Sequence, residues 1–304
     1  MKHKSLLTYF FILTIICAAF IACIKLSGEK GMMFVQGYML TPAIAALIVR
    51  GFFYEKKFSD ANLRFGKLKD YLKFWIIALG ITGFSYLLFT LLGSVTWDFS
   101  GKTFLDNLSL QFALAGQDIM DTLPAGFTPE TMLWLFFFGG LTLFNIMPGM
   151  ITGLGEEFGH RGLMFPLLYQ IKPWIGFVVG GLIWFAWHLP LSLIMPQAAP
   201  ITTWETVLNL VILSIGSLCT FVFLAYVYVK SRSVFVTSFA HIVLNNSSAS
   251  FSYLVTITDQ LKANLGLSLT MVIVVIILII SKEWRAFREY FSDIILNPSS
   301  SQIL

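Results

Sequence analysis

The chain has 304 residues, of which 57% are hydrophobic and only 12% are charged, and its net charge is +4. Soluble domains carry about 25% charged residues. This composition therefore excludes a water-soluble globule and is typical of a polytopic membrane protein, for which the bilayer is the main solvent. The three cysteines lie in apolar runs without C-x-x-C spacing, so no disulfide framework or cysteine zinc site is indicated. We expect no nucleic-acid partner.

Apolar runs predict about eight transmembrane helices, since a spanning helix needs about 20 mostly apolar residues. The predicted spans cover residues 6–26, 32–53, 72–94, 131–154, 174–195, 206–229, 234–257 and 265–281. The first run is long for a signal peptide and lacks a clear cleavage site, so we interpret it as an uncleaved span. The predicted fold is all-α, a single integral membrane domain over residues 1–304 with a polar cavity that opens to the cytoplasm.

The segments between the spans carry most of the charge. Residues 54–71 predict a loop or a surface helix. Residues 96–130 predict a longer loop with acidic side chains, which are Asp98, Asp106, Asp118, Asp121 and Glu130. Within the fourth span, Pro148 and the glycines that follow it predict a bend or a break.

Basic residues predict the orientation, because cytoplasmic loops carry an excess of Lys and Arg. With the N-terminus inside, fifteen basic residues fall inside and four outside, with Arg161 set aside. The inside set is Lys2, Lys4, Arg50, Lys56, Lys57, Arg64, Lys67, Lys69, Lys73, Lys172, Lys230, Arg232, Lys282, Arg285 and Arg288. The outside set is Lys25, Lys30, Lys102 and Lys262. We therefore expect both termini in the cytoplasm, and a plasma-membrane location.

A few polar residues stand inside the predicted spans, where ionisable groups are costly and usually face the bundle interior or a wet cavity. They are Glu156, Glu157, His160 and Arg161 at the cytoplasmic end of span four, His188 in span five, and His241, Asn245 and Asn246 in span seven. Counted along straight helices, His188 lies about 24 Å from Lys172, whereas His241 lies about 13 Å from Arg232. Glu156 is also near the cytoplasmic edge, so this linear map places His188 too deep to meet Glu156 and His241 easily.

Helical spacing indicates which of these side chains are neighbours, because residues at i and i+4 share a face. The pairs with this spacing are Glu157 with Arg161, Glu156 with His160, and His241 with Asn245. One glutamate and two histidines from three helices could bind a catalytic zinc with an open position for water. The same groups could polarise a water without metal, as a carboxylate base beside hydrogen-bond donors.

Three ordered motifs in these spans resemble the CPBP family of intramembrane proteases, which includes the CAAX prenyl endopeptidases and the bacteriocin-immunity (Abi) proteins. "EEFGHR" fits E-E-x-x-x-R, "WFAWH" is similar to F-x-x-x-H with Trp184 at the Phe position, and "HIVLN" fits H-x-x-x-N. The resemblance places a protease core at about 131–257. His160 falls at a variable position of the first motif, and we interpret it as non-catalytic.

The resemblance implies a role for each matching residue. Glu156 would be the general base that activates water, and His188 would help to hold that water. His241 and Asn245 would stabilise the oxyanion, or His241 would ligate a metal together with Glu156 and His188. Glu157 and Arg161 would brace the motif. The family is named for metalloproteases, although a metal-independent glutamate mechanism has been argued for it, so a zinc cofactor stays an open prediction.

The implied activity is hydrolysis of a peptide bond in a membrane-associated or lipidated peptide or protein, which makes such a substrate and the lipid bilayer the expected partners. Two other classes remain as alternatives. A non-catalytic bacteriocin-immunity or signalling scaffold would keep its phenotype without Glu156. A transporter would use the carboxylates and histidines to relay protons, but the inverted repeats typical of transporters are not evident.

Overall fold

The computed structural model describes residues 2–114, 126–194 and 203–284, and these residues are almost entirely helical. The α-helices, in chain order, are α1 (Lys2–Leu26), α2 (Val35–Met39), α3 (Thr41–Phe52), α4 (Leu68–Leu91), α5 (Lys102–Leu114), α6 (Pro129–Leu141), α7 (Gly149–Gly159), α8 (Phe165–Ile171), α9 (Gly180–Ile194), α10 (Thr203–Ser231), α11 (Val234–Ser252) and α12 (Gln260–Ile280). Short 3-10 helices cover Gly28–Phe34 and Leu143–Asn145, and π-helical segments cover His160–Met164 and Ile175–Val179. The predicted all-α class is confirmed.

Five of the described helices are long and apolar enough to cross a membrane. They are His3–Leu26, Leu68–Leu91, Ile175–Ile194, Trp204–Ser231 and Gln260–Ile280. The other three predicted spans correspond to helices that are shorter or less apolar, such as α3, which has only 12 residues. The chain is an integral membrane protein, and the count of eight spans stays a prediction.

The fourth predicted span, 131–154, is not one helix. Helix α6 ends at Leu141, and α7 begins at Gly149 directly after Pro148. Because proline lacks an N–H group, it interrupts the hydrogen-bond ladder of a helix, so the predicted break is confirmed and the single-span bounds are wrong. The helical path that starts at Gly149 continues through the π segment and α8 to Ile171. Residues 156–161 therefore lie within a helical segment rather than at its cytoplasmic end.

Two further corrections concern the segments that follow α4 and α11. Strand β1 (Val95–Trp97) pairs antiparallel with strand β2 (Val255–Ile257), so the seventh predicted span, 234–257, ends as a helix at Ser252. The β-branched residues of both strands favour this extended pairing. The predicted loop 96–130 contains α5, whose Phe104 ring lies 4.9 Å from that of Tyr253. Of its acidic residues, Asp118 and Asp121 lie outside the described part of the chain.

Contacts between loops sort them into two ends of the bundle. The Ser5 hydroxyl donates to the carbonyl of Phe53 at 2.7 Å, and Arg64 Nε donates to the carbonyl of Arg232 at 2.5 Å. At the other end, the Asp98 amide donates to the carbonyl of Leu254 at 2.8 Å. These groupings match the predicted inside and outside loops. Which end faces the cytoplasm stays a prediction, and Arg285, Arg288 and the C-terminus lie outside the described residues.

Helix α7 lies between α3 and α11, and its glycines allow both to approach closely. A Cβ atom at Gly153 would overlap Ile242 and Ser238 of α11, and one at Gly159 would overlap the backbone of Pro42 in α3. Small residues at helix interfaces in membranes permit this kind of backbone contact. The packing holds α7, which carries the two adjacent glutamates, in a fixed position.

We expect Gly159→Ala to lower the thermal unfolding temperature of the detergent-solubilised protein. The added methyl group meets the Pro42 backbone, which cannot turn aside as the end of a side chain can, and overpacking of this kind costs about 1–3 kcal/mol. Gly80→Ala in α4 is the matched control, because nothing lies within 4 Å of its Cβ and alanine favours a helix. Equal unfolding temperatures for the two variants would contradict the proposed close contact of α3 with α7.

Candidate active site

The structure brings the three motifs to one place inside the bundle. Helix α7 supplies Glu156 and Glu157, and the π segment that follows supplies His160 and Arg161. Helix α9 supplies His188, and α11 supplies His241 and Asn245. Single π-helical turns inside α-helices occur often at functional sites. Here the π turn begins at the residue after Gly159, where α7 contacts α3.

Glu157 is the centre of the buried charge network. Its Oε1 lies 2.8 Å from Arg161 Nη1 and 2.8 Å from His241 Nδ1. The side chains of Glu157 and Arg161 are fully buried, and that of His241 is 4% exposed. The predicted pairing of Glu157 with Arg161 is therefore present, and the same oxygen also holds His241. The second oxygen of Glu157 has no hydrogen-bond partner among the described residues.

The guanidinium of Arg161 is also enclosed by aromatic rings. Its carbon lies 4.1 Å from the centroid of Phe221 and 5.3 Å from that of Trp184. Aromatic faces stabilise cations most strongly where water is excluded. These contacts compensate part of the cost of burying the charge in the bundle.

Glu156 is buried but makes a different set of contacts. Its Oε2 accepts a hydrogen bond from the Trp184 indole at 3.4 Å and lies 3.5 Å from His188 Nε2. The His188 side chain is 31% exposed, whereas that of Glu156 is 1% exposed. Glu156 therefore lies behind His188, which connects the carboxylate to accessible space.

The meeting of Glu156 with His188 removes the depth conflict seen in the sequence. Both residues lie sixteen positions from Lys172 in the chain. Because α7–α8 and the helix that ends in α9 form a hairpin that turns near Lys172, equal spacing brings the two residues to the same depth. The linear map was wrong because it placed Glu156 at the end of its span.

Trp184 is the site residue that the sequence reasoning missed. The motif places it only at the phenylalanine position, but its indole N–H donates to Glu156 and its ring contacts two histidines. The ring centroids lie 5.1 Å from His188 and 5.7 Å from His241, both edge-on. A buried tryptophan usually needs an acceptor for its N–H group, and this need, in a motif position four residues before His188, was the available signal.

His160 is buried next to the site without joining its hydrogen bonds. Both ring nitrogens lack a partner among the described residues, and the ring packs edge-on against Trp187 at 5.2 Å. Trp187 in turn is held by α3, since its indole donates to Thr41 Oγ1 at 3.2 Å. The interpretation of His160 as non-catalytic stays a prediction.

Asn245 is exposed and lines a cavity of about 200 Å³, together with Trp184. The other lining residues come from α4, α10, α11 and α12, and most of the cavity wall is apolar. The lining residues with hydroxyl groups are Thr82, Ser85, Ser217, Thr220, Ser248 and Ser268. No charged residue lines the cavity within the described ranges. The neighbouring Asn246 donates instead to Asn145 Oδ1 at 2.9 Å, which joins two segments of the bundle.

The predicted metal ligands Glu156, His188 and His241 take part in two neighbouring sets of contacts. In the described part of the chain, no three His, Cys, Asp or Glu side chains are arranged to hold a metal ion. A catalytic zinc needs three protein ligands that converge on one point. Here His241 turns one ring nitrogen to Glu157, while Glu156 contacts His188 and Trp184. These contacts leave His241 Nε2 for another partner, so a zinc held by Glu156, His188 and His241 stays a prediction.

Comparison with known proteins gives one family. Residues 131–247 match the family model for Rce1-like proteins, described as type II CAAX prenyl endopeptidase Rce1-like. The matched segment contains the three motifs and Trp184. No curated protein matches the chain. The resemblance found in the sequence is confirmed at the level of the family.

We expect Arg161→Met to destabilise the protein by about 3 kcal/mol or more, because removing one partner leaves a buried carboxylate without its main compensating charge. The double variant Glu157→Gln with Arg161→Met should recover part of this loss, since it removes the buried anion as well. Denaturant unfolding in detergent measures both effects.

Lys230→Met is the control for loss of a cation. Lys230 pairs with Glu283 at 2.5 Å, and their side chains are 30% and 51% exposed, so this pair should contribute less than about 1 kcal/mol. Similar losses in Arg161→Met and Lys230→Met would contradict the idea that burial makes the Glu157 network essential.

Proposed function

The match over residues 131–247 supports assigning the chain to the CAAX protease family, and on this premise we propose that it is an intramembrane endopeptidase of the glutamate type. The observation that carries the proposal is that the two adjacent glutamates make different contacts. Glu157 is occupied by Arg161 and His241. Glu156 is held by Trp184 and faces the partly exposed His188.

Glu156 is the proposed general base. Its carboxylate takes a proton from a water positioned at His188, and the resulting hydroxide attacks the carbonyl carbon of the substrate peptide bond. Glu156 then returns the proton to the leaving nitrogen, so the C–N bond breaks and the base is restored. The Trp184 hydrogen bond keeps the carboxylate oriented, which saves the cost of ordering it during the reaction.

His241 and Asn245 are the proposed stabilisers of the tetrahedral oxyanion. Because a carboxylate only accepts hydrogen bonds, we assign the proton of the His241–Glu157 contact to Nδ1. This contact fixes the ring and leaves Nε2 for the substrate, to which it donates in the imidazolium form. Asn245 lies one turn further along α11 and offers a neutral amide donor. Preorganised donors aimed at developing charge are usually the largest contribution to catalysis of this kind.

A metal is not needed for these steps. We propose that the carboxylate and the hydrogen-bond donors activate the water without zinc. Glu156, His188 and His241 are the residues that would hold the metal in a chelator-sensitive enzyme.

The proposed substrate is a peptide bond in a membrane-associated or lipidated protein. The grouped basic loops near Phe53 and Arg232 favour an orientation with this end in the cytoplasm, with both chain termini and the cavity opening on that side of the plasma membrane. The uncharged and mostly apolar cavity beside Trp184 and Asn245 would receive part of the substrate chain.

The test of the proposal is peptide cleavage by the purified, detergent-solubilised protein. Wild type, Glu156→Ala and His241→Ala are compared on a fluorogenic library of membrane peptides, with and without a strong zinc chelator. We expect both variants to lose about a hundredfold or more of the activity, and the chelator to have no effect.

Each of the other outcomes of the cleavage assay would contradict part of the proposal. Equal cleavage by wild type and variants would assign the activity to a contaminant. Loss of cleavage on chelation would replace the metal-free mechanism with a zinc mechanism. No cleavage by any form, with a cellular phenotype that survives Glu156→Ala, would contradict the enzyme.

A further inference from the structure

Arg50 is a buried cation that the proposed chemistry does not use. It lies in α3, outside the segment that matches the family model. Its side chain is only 2% exposed. Buried ionisable residues in membrane proteins are costly and usually have a function, so the partners of Arg50 indicate what it does.

The guanidinium of Arg50 connects three parts of the chain. One of its terminal nitrogens donates to the carbonyl of Gly162, and the other donates to the carbonyl of Lys57 and to Asp60 Oδ1, the last at 2.7 Å. The second oxygen of Asp60 accepts a hydrogen bond from the Tyr54 hydroxyl at 2.6 Å. We call the Arg50 guanidinium with these three acceptors the Arg50 fork. The Arg50 fork joins α3, the loop that follows it, and the π segment of the active site.

Gly162 is the important partner because of its place in the site. It follows Arg161 directly and lies inside the π segment His160–Met164. A π turn departs from the regular i to i−4 pairing of backbone groups, so a charged donor on one of its carbonyls stabilises this turn specifically. Three residues earlier, Gly159 contacts the backbone of Pro42. Helix α3 therefore contacts the π turn in its middle and just before its first residue.

We infer that Arg50 is a positioning residue for the active site. By fixing the carbonyl of Gly162 it sets the direction of Arg161, which holds Glu157, which in turn holds His241. Arg50 does not touch the reacting groups. Its effect on catalysis rests on the proposed function, whereas its effect on the π turn follows from the contacts alone.

Lysine cannot replace arginine in this role. The planar guanidinium presents several donors in fixed directions, and an ammonium is a single point charge on a flexible stem. Lysine at position 50 would keep the positive charge near Asp60 but could not hold Gly162, Lys57 and Asp60 together. Arg50→Lys therefore separates the geometry of the fork from its charge.

Lys56→Gln is the matched control. Lys56 Nζ lies 3.9 Å from the same Asp60 carboxylate, and its side chain is 37% exposed. Its removal takes a cation from Asp60 without touching Gly162. We expect this variant to behave as wild type in every measurement below.

The experiment compares wild type, Arg50→Lys, Arg50→Gln and Lys56→Gln in detergent. Amide hydrogen exchange, followed by mass spectrometry, is measured for residues 158–166, and kcat and KM are measured on the peptide that the wild type cleaves best. We expect exchange in 158–166 to rise about tenfold in both Arg50 variants. We expect kcat to fall on the order of a hundredfold with KM nearly unchanged, because small displacements of reacting groups have effects of this size.

Unchanged exchange and unchanged kcat in folded Arg50→Gln would overturn the inference. So would failure of both Arg50 variants to fold, since Arg50 would then support the whole fold rather than one turn. If the wild type cleaves no peptide, the proposed function fails, and the exchange measurement still decides the role of Arg50.

Discussion

One carboxylate oxygen organises the interior of this protein. Oε1 of Glu157 accepts from Arg161 one turn along its own segment and holds His241 on a different helix. An ionised group buried in a membrane protein is tolerated only where it is paired, so these three side chains have to stay together. The constraint joins α7 to α11 and fixes the direction of the histidine ring. The contacts of Glu156 with Trp184 and His188 are built beside this fixed centre.

The close packing of helices around α7 follows from the need to keep these buried charges paired. Helix α7 can carry two adjacent glutamates into the bundle because its glycines allow α3 on one side and α11 on the other to come close. Close packing excludes water from Glu157 and leaves access near His188 and Asn245, which are partly or largely exposed. Of the two neighbouring glutamates, Glu157 thus contributes to stability and Glu156 to the proposed reactivity. The Arg50 fork adds a further hold on the turn that joins them.

The sequence predicted the class of fold and most of the polar side chains that meet inside the bundle, because both depend on local patterns. Long apolar runs identify membrane helices, and polar residues inside them are rare enough to be noticed individually. The i and i+4 spacing correctly predicted the contact of Glu157 with Arg161. The order of three motifs was sufficient to indicate the family, which the match over 131–247 supports.

The remaining features depend on contacts between distant parts of the chain. Hydropathy could not reveal that the path from Gly149 runs through a π turn to Ile171, so Glu156 was placed at the wrong depth. The pairing of Val95–Trp97 with Val255–Ile257 joins segments far apart in sequence. Arg50 was counted as one of many cytoplasmic cations, because nothing near it in the sequence points to Gly162. The hydrogen bond of Trp184 also joins two helices, so the sequence could indicate that its N–H group needs an acceptor but not that the acceptor is Glu156.

The central claim is that Glu156 is the catalytic base and that Glu157 is the structural partner of Arg161 and His241. One paired measurement tests it. Glu156→Gln and Glu157→Gln are each assayed for unfolding in detergent and for peptide cleavage. We predict that Glu156→Gln unfolds like wild type but loses cleavage, because it keeps the shape of the side chain and removes the base. We predict that Glu157→Gln is clearly less stable, since Arg161 and His241 lose their shared acceptor charge. Retained activity in Glu156→Gln would contradict the assignment of Glu156 as the base. Loss of cleavage in Glu157→Gln alone, with unchanged stability, would contradict the assignment of Glu157 as the structural partner of Arg161 and His241.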